Sequence, residues 1–321
     1  TRMTIMNLSY YPRERGPYNL DADNIDSDGN LLFPEKRWGG IMRKLDVTDF
    51  ETANIEYIEF WMMDPFIYNK NDKGGDLYFN LGDISEDILK DGKKAFEHGL
   101  PIDNDITKTD ITVWGKIPKI QSTVTAFDNT AGARAKQDVG LNGLLNDEEK
   151  DFPGYSDYLD KLKAKLNPLA RQKFENDPFS PLNDPAGDNY QFYRGTVYDD
   201  QNADILTRYK RYNGTEGNSP DATSVGERFA TTATSLPDIE DLNNDNTLNE
   251  YEKYFQYKVS IRPQNMNVGT NYITDKIVSN VKLENGNVEP VTWYQFKIPI
   301  REFDDKIGSI RNFKSVRFIR M

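Results

Sequence analysis

The run of this sequence with the most chemical content is Asp241-Leu242-Asn243-Asn244-Asp245-Asn246-Thr247-Leu248-Asn249-Glu250-Tyr251-Glu252. Oxygen-bearing side chains fall at positions 1, 3, 5, 9 and 12 of a twelve-residue frame, and the Thr247 carbonyl falls at position 7. A hard cation such as Ca2+ takes about six to eight oxygen ligands, and this spacing wraps them round one point, with the last glutamate able to bind through both oxygens. The spacing therefore predicts a calcium site built from Asp241, Asn243, Asp245, Thr247, Asn249 and Glu252. Position 8 is apolar, Leu248. Position 6, where glycine is usual, is Asn246, a residue that tolerates the left-handed backbone conformation better than most. Pro237 precedes the run and a strand pattern follows it, so a paired helix-loop-helix is not expected. The competing reading is an acidic turn closed by Asn and Asp side chains on backbone amides.

The other candidates for chemistry are weaker. Asn24, Asp26, Asp28, Gly29, Asn30 and Glu35 echo the same frame, but Pro34 lies inside it, and Asp-Gly turns without a metal. His98 is the single histidine. It precedes Gly99, near an expected helix C-terminus where positive charge is favoured, and no nucleophile is placed beside it, so a structural role is expected. Glu86 with Asp87, and Glu148 with Glu149, read as solvated faces rather than as a glycosidic acid–base pair. Trp61, Trp114, Trp293 and Tyr294 could stack on sugar rings, as in a carbohydrate-binding β-sandwich module at the cell surface; at strand spacing they also suit a core. A hydrolase would need two carboxylates facing each other across a cleft. The run Arg37 to Arg43 lacks phosphate-loop spacing and reads as close backbone packing with arginine–carboxylate pairing.

The elements that would position these residues are mainly strands. Ile58, Phe60 and Met62 alternate with Tyr57, Glu59 and Trp61, which predicts a strand with apolar bulk on both faces, central and covered on both sides. Leu77, Phe79 and Leu81 predict a second, half-buried strand. A helix capped by Ser85 is expected to follow and to end at His98. Strands are also expected over Met3 to Tyr11, Ile111 to Ile117, and briefly at Tyr190 to Tyr198. Ile41 to Leu45 is short and apolar. Near the C-terminus, Phe255, Tyr257, Val259 and Ile261 alternate, as do Tyr294, Phe296, Ile298 and Ile300; Val316 and Phe318 share one face of the last run. Between these groups, Asn146 with Glu149 resembles a capping box. Tyr158, Leu159, Leu162 and Leu166 sit at helical spacing, and Asn167-Pro168 starts another helix.

The pattern predicts a mainly β fold, a jelly-roll-like β-sandwich with a helical and loop-rich insertion. The expected organisation is residues 1–127 and 228–321 as two parts of one sandwich, with 128–227 inserted between them and lying against the β part. With 40 Lys and Arg against 52 Asp and Glu, the net charge is −12. That argues against sequence-independent binding to nucleic acid or anionic lipid. There is no cysteine, so disulfides, zinc-thiolate sites and cysteine nucleophiles are excluded. No stretch approaches the ~18 apolar residues of a membrane helix, and no signal peptide is visible. The chain reads as a fragment of something longer.

Several phrases together resemble the SprA/Sov family of large outer-membrane proteins in type IX secretion and gliding motility. They are YYPRERGPYNLD, RWGGIMRKL, ANIEYIEFWMMDPF, GDLYFNLGDISEDILKDGKKAFEHGLP, QDVGLNGLLNDEE, RYKRYNG with GNSP, PDIEDLNNDNTLNEYEKYFQYKV, WYQFKIPI and the terminal RFIRM. The resemblance implies a piece of a protein-conducting channel, a giant β-barrel with large inserts. This chain lacks the lipid-facing alternation of a barrel wall, so the expected role is a non-catalytic structural and interaction domain that does not itself span the membrane. The implied partners are the rest of the translocon barrel, other type IX components and secreted client proteins. The implied location is the outer membrane, with the extracellular side favoured over the periplasmic.

Overall fold

The computed structural model describes residues 4–120, 126–220, 236–237 and 239–321. The chain forms two compact units: Thr1–Gly39 with Glu86–Leu248, and Gly40–Ser85 with Asn249–Met321. In chain order the strands are β1 (Met42–Lys44), β2 (Tyr57–Met63), β3 (Gly75–Asp83), β4 (Thr109–Ile111), β5 (Lys116–Pro118), β6 (Lys253–Ile261), β7 (Ile273–Lys282), β8 (Val288–Pro299), β9 (Asp305–Ile307) and β10 (Phe318–Arg320). The helices are α1 (Arg134–Gln137), α2 (Asn146–Asp151), α3 (Pro153–Lys165), α4 (Pro168–Asn176), α5 (Thr196–Asp200) and α6 (Ile205–Tyr209).

The second unit is the β-sandwich. One sheet runs β1-β10-β3-β6-β9 and the other β2-β8-β7, with every pairing antiparallel. The alternation read from the sequence explains the core. Phe79, Leu81, Phe255, Tyr257 and Val259 of the larger sheet and Ile273, Tyr294, Phe296 and Ile298 of the smaller one belong to one buried cluster. Phe60 stacks on Phe296 with ring centroids 4.8 Å apart and meets Phe79 across the sheets at 5.3 Å. The neighbours β1-β10-β3 bring first and last strands together, as a jelly roll does, while β3 and β6 are direct partners across the long intervening segment.

Two expectations for this unit change. β2 is the edge of its sheet, not the centre; β8 is the middle strand and pairs on both sides. Ile58, Phe60 and Met62 do pack on the core, but the opposite face of β2 leaves Tyr57 and Met63 exposed. The helix expected from Ser85 does not form. Ser85 Oγ donates to the Asn249 carbonyl instead of accepting an amide as a cap would.

The first unit has little sheet. β4 and β5 make a hairpin where one continuous strand was expected. Residues 4–10 are irregular, with Ile5, Met6, Leu8 and Tyr10 exposed, rather than a strand; Met3 lies outside the described residues. Tyr190 to Tyr198 is likewise not a strand. Asn189 makes an isolated bridge to Glu216, and α5 begins at Thr196. Residues 86–98 are irregular, with Glu86, Leu89, Ala95, Glu97 and His98 buried. There the Asp87 carboxylate accepts from the Ala95 amide and Gly92 has φ 75°. The helical expectations hold at α3 and α4. Asn167 accepts from the Ala170 amide, with Pro168 at the first helical position. The reach-back at α2 comes from Glu148, which accepts from the Leu145 amide, one residue earlier than expected.

The apolar stripe of α3, namely Tyr158, Leu159, Leu162 and Leu166, packs on Ala22, Ile25, Leu31 and Ala170. All of these belong to the first unit. The turn-rich N-terminal segment thus supplies the cover that was expected from the β part, and the 128–227 segment shares a unit with residues 1–39 and 86–127. The Asp-Gly turn reading holds. Asp26 accepts from the amides of Asp28 and Asn30, Gly29 has φ 84°, and a Cβ there would lie 2.6 Å from Phe174. Arg37 pairs with Asp21 at 2.8 Å, the arginine–carboxylate contact its run predicted.

Candidate functional site

A segment without ladders must satisfy its backbone by other means, and the first unit does so with buried carboxylates. Asp184 accepts from the amides of Gly187, Asp188 and Asn189. Asp138 accepts from Gly217 and Ser219, and Glu86 from Leu242. Glu240 accepts from the Glu97 amide and lies 3.3 Å from His98 Nδ1. His98 itself is buried, edge-on to Phe96 and Phe127, which fits the structural role expected of it.

Three further acids converge. Glu149 on α2, Asp188 in the loop after α4 and Glu216 on the bridge to residues 139 and 189 each bring one carboxylate oxygen within 4.8 Å of the other two. Glu149 and Asp188 are fully buried. Asn142 Nδ2 donates to Glu149 Oε1 at 2.6 Å, and the Ala186 amide donates to Oε2 at 2.9 Å. The hydroxyls of Tyr18, at 2.5 Å, and Thr215, at 3.4 Å, reach Asp188 Oδ2. Asp188 Oδ1 and Glu216 Oε2 are buried with no hydrogen-bond partner. Gly140 has φ 73°, and a Cβ there would lie 2.1 Å from Asp188 Oδ2, so the close approach requires glycine.

Desolvation dominates the electrostatics, and mutual repulsion adds to it. Burial pushes the Glu149 carboxyl up to about 7, with the charge of Asp184 adding to the rise. Burial and then the charges of Asp188 and Glu149 raise Glu216 to about 9. Burial, followed by the charge of Glu149, holds Asp188 well above the usual carboxylate range. Such a group of acids can share protons or hold a cation. The sequence reading placed Glu149 in a capping box and on a solvated face. Glu148 does occupy the outer side, paired with Lys116, but Glu149 turns inward. Its partners are tens of residues away, and no local pattern joins them.

The residues of the 241–252 run divide between the units. In the first, the amides of Asp245 and Asn246 donate to the Asp241 carboxylate. Asn243 Nδ2 donates to Asp245, and the Thr247 hydroxyl and amide donate to Asp245 Oδ1. These side chains do gather into one turn. Asn246 has φ 62°, the left-handed conformation its position demanded, and Leu248 is buried. In the second unit, Asn249 Nδ2 donates to Asp83 Oδ1 and to the Ile84 carbonyl. Glu252 forms a two-point pair with Arg320 at 2.9 and 3.1 Å. The four candidate aromatics do not form one row: Tyr294 belongs to the sandwich core, and Trp114 stands edge-on to Tyr18 in the first unit.

The fold therefore defines a mainly β protein, a sandwich accompanied by a loop-rich unit rich in buried acids. Among known families, the one described as motility related/secretion protein, SprA_N, matches residues 157–321, more than half of the chain. The chain belongs to this SprA family of motility and secretion proteins. No curated protein matches it. Among the described residues, no helix is long and apolar enough to cross a membrane.

Proposed function

We propose that this chain is a non-catalytic structural and interaction domain of an outer-membrane protein-translocation channel, serving type IX secretion and gliding motility. Family membership supports the secretion role. The observation that carries the interaction role is the outer face of the smaller sheet. Met63, Trp293 and Ile277 lie opposite one another across β2, β8 and β7, and Trp61 and Tyr57 share this face of β2 on either side of Glu59. Tyr57, Met63 and Ile277 are exposed. Exposed aromatic and apolar side chains on one sheet face mark a contact face, here for the rest of the translocon, its other components or its clients, on the extracellular side of the outer membrane.

Replacing Trp61, Met63 and Ile277 together by serine tests this reading. The melting temperature of the chain should hold while assembly or secretion fails. An unchanged melt with normal secretion would end the proposal. The 241–252 run is proposed to hold Ca2+ through Asp241, Asn243, Asp245, Thr247, Asn249 and Glu252, supported by the turn gathered round Asp241 and by Asn246 in its required conformation. Stabilisation by calcium should then be lost in Asp241→Ala.

A further inference from the structure

We infer that Glu149, Asp188 and Glu216 hold a hard divalent cation inside the first unit, at a site separate from the 241–252 run. Oxygens bound to one Ca2+ at about 2.4 Å lie no more than about 4.8 Å apart, and the three carboxylate oxygens meet that limit. Crowded acids alone would not argue for a metal. The independent observation is Asp188, a member of this group whose side chain is fully buried and whose Oδ1 has no hydrogen-bond donor. Glu216 Oε2 is in the same state. A buried anionic oxygen with nothing to bond is costly, and the Arg15 charge reaches Glu149 only through space. Among the described residues, no Lys or Arg forms an ion pair with any of the three. Arg15 donates to the carbonyls of Asn19, Asp184 and Pro185 instead.

The donor set identifies the class of ion. It is all oxygen, with no nitrogen or sulfur ligand, which suits Ca2+ or Mg2+ rather than Zn2+. The surroundings orient the ligands as an outer shell does: Asn142 and the Ala186 amide hold Glu149, and Tyr18 and Thr215 hold Asp188 through Oδ2. A cation here would tie α2, the loop after α4 and the Glu216 bridge to one point, in the unit whose sheet is a single short hairpin.

The test uses the 321-residue chain with Asp241→Ala to silence the other candidate. It is stripped with chelator and titrated with CaCl2 or MgCl2 alone, reading bound metal by elemental analysis, affinity by calorimetry and the melting temperature. One equivalent of either ion should bind and raise the melt. Glu216→Gln and Asp188→Asn should each weaken uptake by about tenfold or more, since even outer-shell changes typically cost that much. In chelator both variants should melt no lower than their parent, because a neutral amide carries no charge to desolvate. Should Asp241→Ala fail to fold, the wild-type chain takes its place, and the criterion becomes loss of one equivalent in Glu216→Gln. Failure to take up either ion, or uptake unchanged by both substitutions, overturns the inference and leaves the acids sharing protons.

Discussion

The two units solve the same problem in opposite ways. In the sandwich the buried polar side chains are Asn80, Asp83 and Asn249; in the other unit there are fourteen, from Glu86 to Asp241, among the described residues. The sandwich satisfies its amides through ladders, so its inward side chains can be Phe, Tyr, Val and Ile. Its exceptions are paired: Asp83 with Lys253 and Arg317, and Asn80 with Gln256. The first unit has one short ladder, β4 with β5, and turns its acids inward as acceptors for orphan amides. A carboxylate offers about four acceptor sites, so one residue such as Asp184 can hold three successive amides. The cost is a concentration of negative charge in a dry interior.

That contrast can be broken by substitution. Phe296→Ala, at a fully buried ring stacked on Phe60, should cost the largest amount, about 3–5 kcal/mol by chemical denaturation, because the sandwich core is apolar and closely packed. Asp184→Ala should cost less, about 2–3 kcal/mol, from three amides left without their acceptor. If Asp184→Ala is silent, water replaces the carboxylate and the staple account of this unit fails. The smallest effect per step is pH dependence. Glu149 and Glu216 have folded pKa values of about 7 and about 9 against 4.5 ordinarily. The folded state therefore binds more protons than the unfolded one above about 4.5, and stability falls as pH rises. In chelator the melting temperature should decline from pH 5 to pH 9, and Glu216→Gln should flatten the decline. A melt that rises over this range would contradict the assigned burial. With a cation bound, the decline should shrink, since the metal takes the place of the protons.

Periodicity in the sequence was sufficient for much of this. The inward faces of β3, β6 and β8, the stripe of α3, the cap at Asn167 and the turn at Gly29 are local matters, decided by residues two to four apart. The left-handed conformation at Asn246 was legible for the same reason. Misreadings arose where a local signal met a distant competitor. Ser85 looked like a cap, but its hydroxyl is used by the Asn249 carbonyl. β2 looked central because both its faces carry apolar bulk, yet alternation says only which side chains share a face. It does not say how many strands lie beyond the edge.

The tertiary structure alone decided three things. It set β8 rather than β2 at the middle of its sheet. It covered α3 with the N-terminal segment. It also brought Glu149, Asp188 and Glu216 together from separate parts of the chain. Each is a matter of long-range pairing, set by which surfaces bury one another best, and a carboxylate in a run of Asp and Asn reads the same whether water or a dry cluster surrounds it. Which acids are solvated is a property of the packed chain, because desolvation depends on what has folded over them.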